Sequence, residues 1–122
     1  MHEMTVAHGL LKILEERAEA HGIARVVRVR LKIGRLRGIE IRQLRAAFEV
    51  LAEGSIAEGA PLDIDEVAAE ARCRACGTEW RLKVYRFECP ACRSADGEIL
   101  AGRELHIESF DGERGDWSTP SF

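Results

Sequence analysis

The residues in this chain best suited to chemistry are four cysteines in two pairs, Cys73-Arg74-Ala75-Cys76 and Cys89-Pro90-Ala91-Cys92. Twelve residues, Gly77 to Glu88, separate the pairs. Two residues between cysteines let a tight turn aim both sulfurs at one ion, and Gly77 relieves the backbone where the chain leaves the first turn. The spacing is that of four-thiolate zinc sites. Four thiolates fill the tetrahedral shell of zinc and leave no position for water or substrate, so Cys73, Cys76, Cys89 and Cys92 predict a structural ion. Two disulfides are the other use of four cysteines, but paired spacing without an export signal favours thiolate ligands. A redox dithiol needs only one pair at a helix start, and neither pair precedes a helical pattern.

The second candidate is the amino terminus, Met1-His2-Glu3. A terminal amine, the amide nitrogen of His2 and its imidazole can close adjacent chelate rings around one ion, a set suited to square-planar divalent nickel or copper. The chelate requires an amine one residue before His2, and a bulky second residue generally protects the initiator methionine from removal. A terminal amine titrates at about 7.7 to 8.0, so binding, which displaces protons, should weaken in acid. A histidine at position 2 also arises by chance, so taken alone this signal is weak. His8 reads as an exposed helix residue, and His21 and His106 as surface residues.

The elements that must position these groups are readable from periodicity. From Thr5 to His21, Val6, Leu10, Leu11, Ile13, Leu14 and Ala18 recur at helical spacing, with Thr5 as a cap and Gly22 closing the helix. Val27, Val29, Leu31 and Ile33 alternate with Arg28, Arg30 and Lys32, which predicts a strand with a buried and a wet face. The basic stripe reads either as a face for an acidic partner or as a solvated strand face, and alternation favours the latter. After the turn Gly34 to Gly38, a second helix carries Ile41, Leu44, Ala47, Phe48 and Leu51 and stops at Gly54. Short strands follow at Pro61 to Asp65 and Leu105 to Glu108.

The cysteines lie between those two strands, and the last strand needs sheet neighbours that the small cysteine segment scarcely offers. The chain therefore reads as an α+β body of residues 1–70 and 99–112, a small sheet with two helices, with a four-cysteine zinc module inserted at 71–98. Gly, Asp, Ser and Pro dominate from Asp111 onward, so residues 113–122 are expected to form a flexible tail.

Composition narrows the functions. Eighteen Lys and Arg against 21 Asp and Glu give a net charge of −3, which argues against a nucleic-acid binder. No apolar run approaches the roughly 20 residues of a membrane span, and no signal core opens the chain, so the cytoplasm is the expected compartment. Trp80, Leu82, Val84, Tyr85 and Phe87, interleaved with Arg81, Lys83 and Arg86, read either as a single-strand stacking surface or as the miniature core of a zinc module. The acidic balance favours the core. A zinc-ribbon adaptor for nucleic acid or protein is the alternative function. A metal-dependent hydrolase would need an open metal position, which a full thiolate shell does not offer.

As a set, Met1-His2-Glu3-Met4, Ile33-Gly34-Arg35-Leu36-Arg37-Gly38-Ile39-Glu40, Phe48-Glu49-Val50-Leu51-Ala52-Glu53-Gly54, the two cysteine pairs and Gly102-Arg103-Glu104-Leu105-His106-Ile107 resemble the HypA/HybF family of hydrogenase-maturation nickel metallochaperones. The resemblance implies that the α+β body is a nickel-binding domain and that the protein is not an enzyme. It implies nickel as cargo at the amino terminus, with His2 the principal ligand and Met1 and Glu3 contributing, and Glu40 as a further acidic position. It also implies delivery to a hydrogenase large-subunit precursor with a nickel-handling maturation GTPase, and an overlap with urease maturation proteins. Arg93 stands where the family often has glycine, and the stretch after Asp111 departs from the pattern.

Overall fold

The computed structural model describes residues 2–83 and 86–114. The chain divides into two compact units. One holds the described residues of Met1–Leu31, Ile39–Ile64 and Ile107–Phe122, and the other Lys32–Gly38 with the described residues of Asp65–His106. Within the second unit the Gly34 and Leu36 N–H groups donate to the Glu104 and Gly102 carbonyls, and the Arg37 side chain donates to the Arg103 carbonyl.

In the first unit, helix α1 (Glu3–Ala20) buries Ala7, Leu10, Leu11, Leu14 and Ala18. Ile13, expected on this stripe, is 44% exposed, since at 3.6 residues per turn it sits about 120° from the stripe's centre. Thr5 is not the cap. The helix starts earlier, at Glu3, whose acidic side chain suits the positive end of the helix dipole, and His2 holds the cap position in a left-handed conformation (φ 60°). Gly22, at φ 68°, follows the last turn. Helix α2 (Ile41–Ala52) buries Leu44, Ala47, Phe48 and Ala52 and packs against α1. Burying Phe48 and Leu14 contributes about 1.5–3 kcal/mol each, so this contact anchors the unit.

Strand β1 (Ile23–Gly34) buries Val29, Leu31 and Ile33 in alternation, but its next buried residue is Val26. Val27 is instead 43% exposed, because two successive outward residues, Val27 and Arg28, break the period of two. The basic stripe is met from within. Arg28 donates to Asp63 at 2.7 Å, and Arg30 forms a two-pronged pair with Asp111 at 3.1 and 3.0 Å. Both carboxylates sit on strands flanking β1: β2 (Leu62–Val67) and the last strand, Leu105–Arg114, in the order β2, β1, last strand.

That last strand runs on past Gly112 through Glu113 and Arg114, the first two residues of the expected tail. Gly112 permits it: a Cβ there would lie 2.5 Å from Ile23 Cγ2 and 3.0 Å from the Arg25 carbonyl oxygen. A glycine that reads as a breaker is here a point of close backbone approach. The remainder of the expected tail, residues 115–122, lies outside the described residues.

The second unit has a sheet of its own, contrary to expectation. Strands β3 (Glu70–Cys73), β4 (Glu79–Arg81) and β5 (Gly97–Ala101) pair antiparallel in the order β4-β3-β5, with Ala71 opposite both Trp80 and Ile99. The last strand of the chain is thus β6. Trp80 and Phe87 meet edge to face, centroids 4.9 Å apart at 64°. Gly97 makes room for them, since a Cβ there would overlap the Phe87 ring. Val84 and Tyr85, expected in the same small core, lie outside the described residues. A Cβ on Gly34 would overlap the Gly102 carbonyl, so the end of β1 lies directly on the segment before β6. No helix among the described residues is long and apolar enough to cross a membrane.

Candidate metal centre

The two cysteine pairs occupy turns with the same bonding pattern. In the first, the Gly77 N–H donates to the Cys73 carbonyl (2.9 Å) and the Cys73 N–H to the Thr78 carbonyl (2.8 Å). In the second, the Arg93 N–H donates to the Cys89 carbonyl (2.8 Å) and the Cys89 N–H to the Ser94 carbonyl (3.0 Å). Each turn needs a left-handed residue directly after its second cysteine, supplied by Gly77 (φ 79°) and by Arg93 (φ 67°). β3 delivers Cys73 at its end, and β5 begins a few residues beyond the second turn, so the sheet brings the turns together.

All four thiols are free of disulfides, with Cys73 and Cys89 buried and Cys76 and Cys92 exposed. Their sulfurs lie within 4.8 Å of one another, and the Cys73–Cys92 and Cys76–Cys89 pairs approach to 3.6 Å. A zinc–thiolate bond of about 2.3 Å implies a tetrahedral sulfur–sulfur edge of about 3.8 Å, so the set fits such an ion with little rearrangement. Protonation supports the same reading. The Thr78 hydroxyl and backbone hold the Cys76 thiol down to about 6. The Ser94 N–H pulls Cys92 toward thiolate, but the Cys73 thiol and burial outweigh it and push Cys92 up to about 12. Four sulfurs this close cannot all ionise alone, and a divalent cation removes that conflict.

At the other candidate site His2 is exposed and precedes α1, and its carbonyl accepts the first ladder bond, from the Val6 N–H at 3.0 Å. Met1 lies outside the described residues. The Glu3 carboxylate accepts from the Glu40 N–H at 2.9 Å, which ties the start of α1 to the start of α2. Glu40 is therefore beside Glu3 through its backbone, while its own carboxylate caps α2 by accepting from the Arg42 N–H at 3.2 Å. His8, His21 and His106 are all exposed.

Residues 1–112 match the family model described as HypA, hydrogenase/urease nickel incorporation, metallochaperone. The chain belongs to the HypA family. A hydrogenase maturation factor HypA from Chlorobium limicola is 44% identical over 116 residues, covering 95% of this chain and 100% of its own length. One from Acidithiobacillus ferrooxidans is 40% identical over 113 residues, covering 93% of this chain and 100% of its own. Among solved structures, that of the Ni metallochaperone HypA from Helicobacter pylori superposes with a TM-score of 0.68 at 27% identity, covering 93% of this chain and 99% of that one. The function is that of the family, nickel incorporation for hydrogenase or urease, and the four-cysteine cluster fits a metal-handling protein.

Not evident from the sequence of this HypA-family chain are Thr78, which lowers the Cys76 thiol, Ser94, whose N–H favours the Cys92 thiolate, and the backbone demand on Arg93. Laying one cysteine pair over the other would have found the last, since Gly77 and Arg93 hold equivalent places.

Proposed function

We propose that this protein binds Ni(II) at its amino terminus and hands it to the large-subunit precursor of a [NiFe]-hydrogenase, with a nickel-handling GTPase assisting. The observation that carries the proposal is the exposed His2 at the head of α1. Its imidazole is open to solvent, and its amide nitrogen lies ahead of the helical ladder, where backbone N–H groups lack intrahelical acceptors. Met1 would supply the amine, and Glu3, held beside Glu40, a backbone nitrogen or carboxylate. Glu40 is the weaker ligand, because its carboxylate already caps α2.

In this reading nickel moves by ligand exchange in the cytoplasm, and no substrate bond is broken. The quartet Cys73, Cys76, Cys89 and Cys92 holds zinc, which orders the second unit as a docking surface for the recipient; urease maturation proteins are recipients of the same kind. The test is a nickel titration of protein with a native amino terminus and its cysteine-bound ion intact, comparing wild type with His2→Ala. One nickel bound by wild type and lost in the variant is the expected result. Equal binding by both would overturn the amino-terminal site and favour an adaptor role for the cysteine module.

A further inference from the structure

The second unit carries a groove of about 680 Å³ that the nickel reading does not use. Its apolar lining includes Leu36, Ala69 and Leu82, and its charged lining is Arg35, Arg81 and Lys83, with no acidic residue among the described ones. All three cations are exposed, and among the described residues none of them forms an ion pair. Elsewhere in this unit arginines are matched: Arg72 pairs with Glu79 and Glu98, and Arg74 with Asp96. A chain of net charge −3 thus gathers three unmatched cations in one partly apolar groove. Long cationic side chains beside a small apolar cleft leave favourable pairing energy unrealised until an anionic ligand arrives.

We infer that this groove receives an acidic peptide segment of a partner protein, seating one apolar side chain on Leu36, Ala69 and Leu82 while its carboxylates meet Arg35, Arg81 and Lys83. The inference rests on the reading of the cysteine module as a docking surface and is independent of the nickel site. Charge complementarity selects the sign of the occupant, and the apolar lining selects peptide over nucleic acid. A nucleic-acid strand would need a free aromatic face on which to stack, whereas Trp80 is half-buried and packed against Phe87. The wall made by Arg81, Leu82 and Lys83 continues from β4, which lies at the edge of its sheet, so an extended segment can run alongside it.

The experiment uses full-length, metal-loaded protein labelled with ¹⁵N and the synthetic peptide acetyl-Asp-Glu-Leu-Glu-Asp-amide as probe. The expected result is a set of saturable shifts at the amides of Leu36, Ala69 and Leu82 that fades as salt rises. The double variant Arg81→Glu, Lys83→Glu should bind at least about tenfold more weakly. That variant should keep its bound ion and its nickel titration, so failure of the groove is distinguishable from failure of the nickel site or of folding. No shifts at those amides in wild type would overturn the inference. So would peptide binding indifferent to salt, or tighter binding of an oligothymidylate of equal charge at the same residues.

Discussion

The two candidate metal regions are built in opposite ways. Around the cysteines, backbone bonds fix two matching turns, a three-stranded sheet brings them together, and the four sulfurs sit within 4.8 Å of one another. At the amino terminus one exposed histidine stands before a helix, held through its carbonyl by the Val6 N–H, and the Glu40 N–H donates to the neighbouring Glu3. A closed thiolate shell suits an ion that must stay, because leaving would cost the fold that depends on it. An open site with a left-handed residue at its centre suits an ion that a competing ligand set must be able to take. On the proposed function, retention and transfer are separated by how completely the chain encloses each set of ligands.

The strongest way to break this comparison is to remove one sulfur. Cys73→Ser should lose the bound ion and with it the order of the second unit, because structural zinc sites supply apparent binding energies on the order of 10 kcal/mol or more. Metal analysis and amide spectra should show β3, β4 and β5 collapse while α1 and α2 stay folded and nickel still binds. Loss of nickel binding in the same variant would mean that the two regions are not independent.

His2→Ala tests the other side. Loss of a first-sphere ligand should weaken nickel binding by at least about a hundredfold, beyond what outer-shell changes typically cost. The ion held by the cysteines and the thermal unfolding of the second unit should be unchanged, because His2 belongs to the first unit.

Much of this arrangement was legible in the sequence because it rests on local patterns. The apolar stripes of α1 and α2 and the spacing of the cysteine pairs are written over short stretches of chain. What escaped depended on distant partners. The sheet of the cysteine module is built from strands as short as Glu79–Arg81, too brief for alternation to register. Gly112 reads as a breaker until Ile23 and Arg25 are seen beside it, and Gly34 as a turn residue until Gly102 is seen against it. Val27 and Val26 exchange roles because an irregularity in β1 shifts the alternation, which composition does not reveal.

A finer test concerns the two turns themselves. Gly77 and Arg93 perform the same left-handed turn, yet only glycine does so freely, since this conformation costs other residues about 1–2 kcal/mol. Arg93→Gly should therefore stabilise the metal-loaded second unit, by roughly 0.5–1 kcal/mol after the greater chain entropy of glycine is set against the relief. Gly77→Ala should destabilise it by about the same amount. No atom lies within 4 Å of a Cβ at Gly77, so the effect would report backbone conformation and not crowding. Chemical denaturation at fixed metal concentration measures both. Equal and negligible effects would mean that the turns owe their shape to the ion and not to the residue after each pair.

The smallest effect separates the regions by acid. Hydrogen bonds from Arg30, and then its charge, hold the Asp111 carboxyl below its ordinary value. A group with a depressed folded pKa contributes stability above its unfolded pKa, about 3.9 for Asp, and loses it as pH falls through the lower folded value. The pair is solvent-exposed, with Arg30 and Asp111 side chains 43% and 56% accessible, so its contribution to the first unit is slight and screened by salt. The cysteine quartet behaves differently, because protons compete directly with its ion as thiolates are titrated. On acidification the second unit should therefore release its ion and unfold before the first unit weakens. Asp111→Asn should lower first-unit stability modestly at neutral pH and converge with wild type in strong acid. Loss of the α1–α2 packing in wild type before the cysteine-bound ion is released would reverse the assignment of robustness between the two regions.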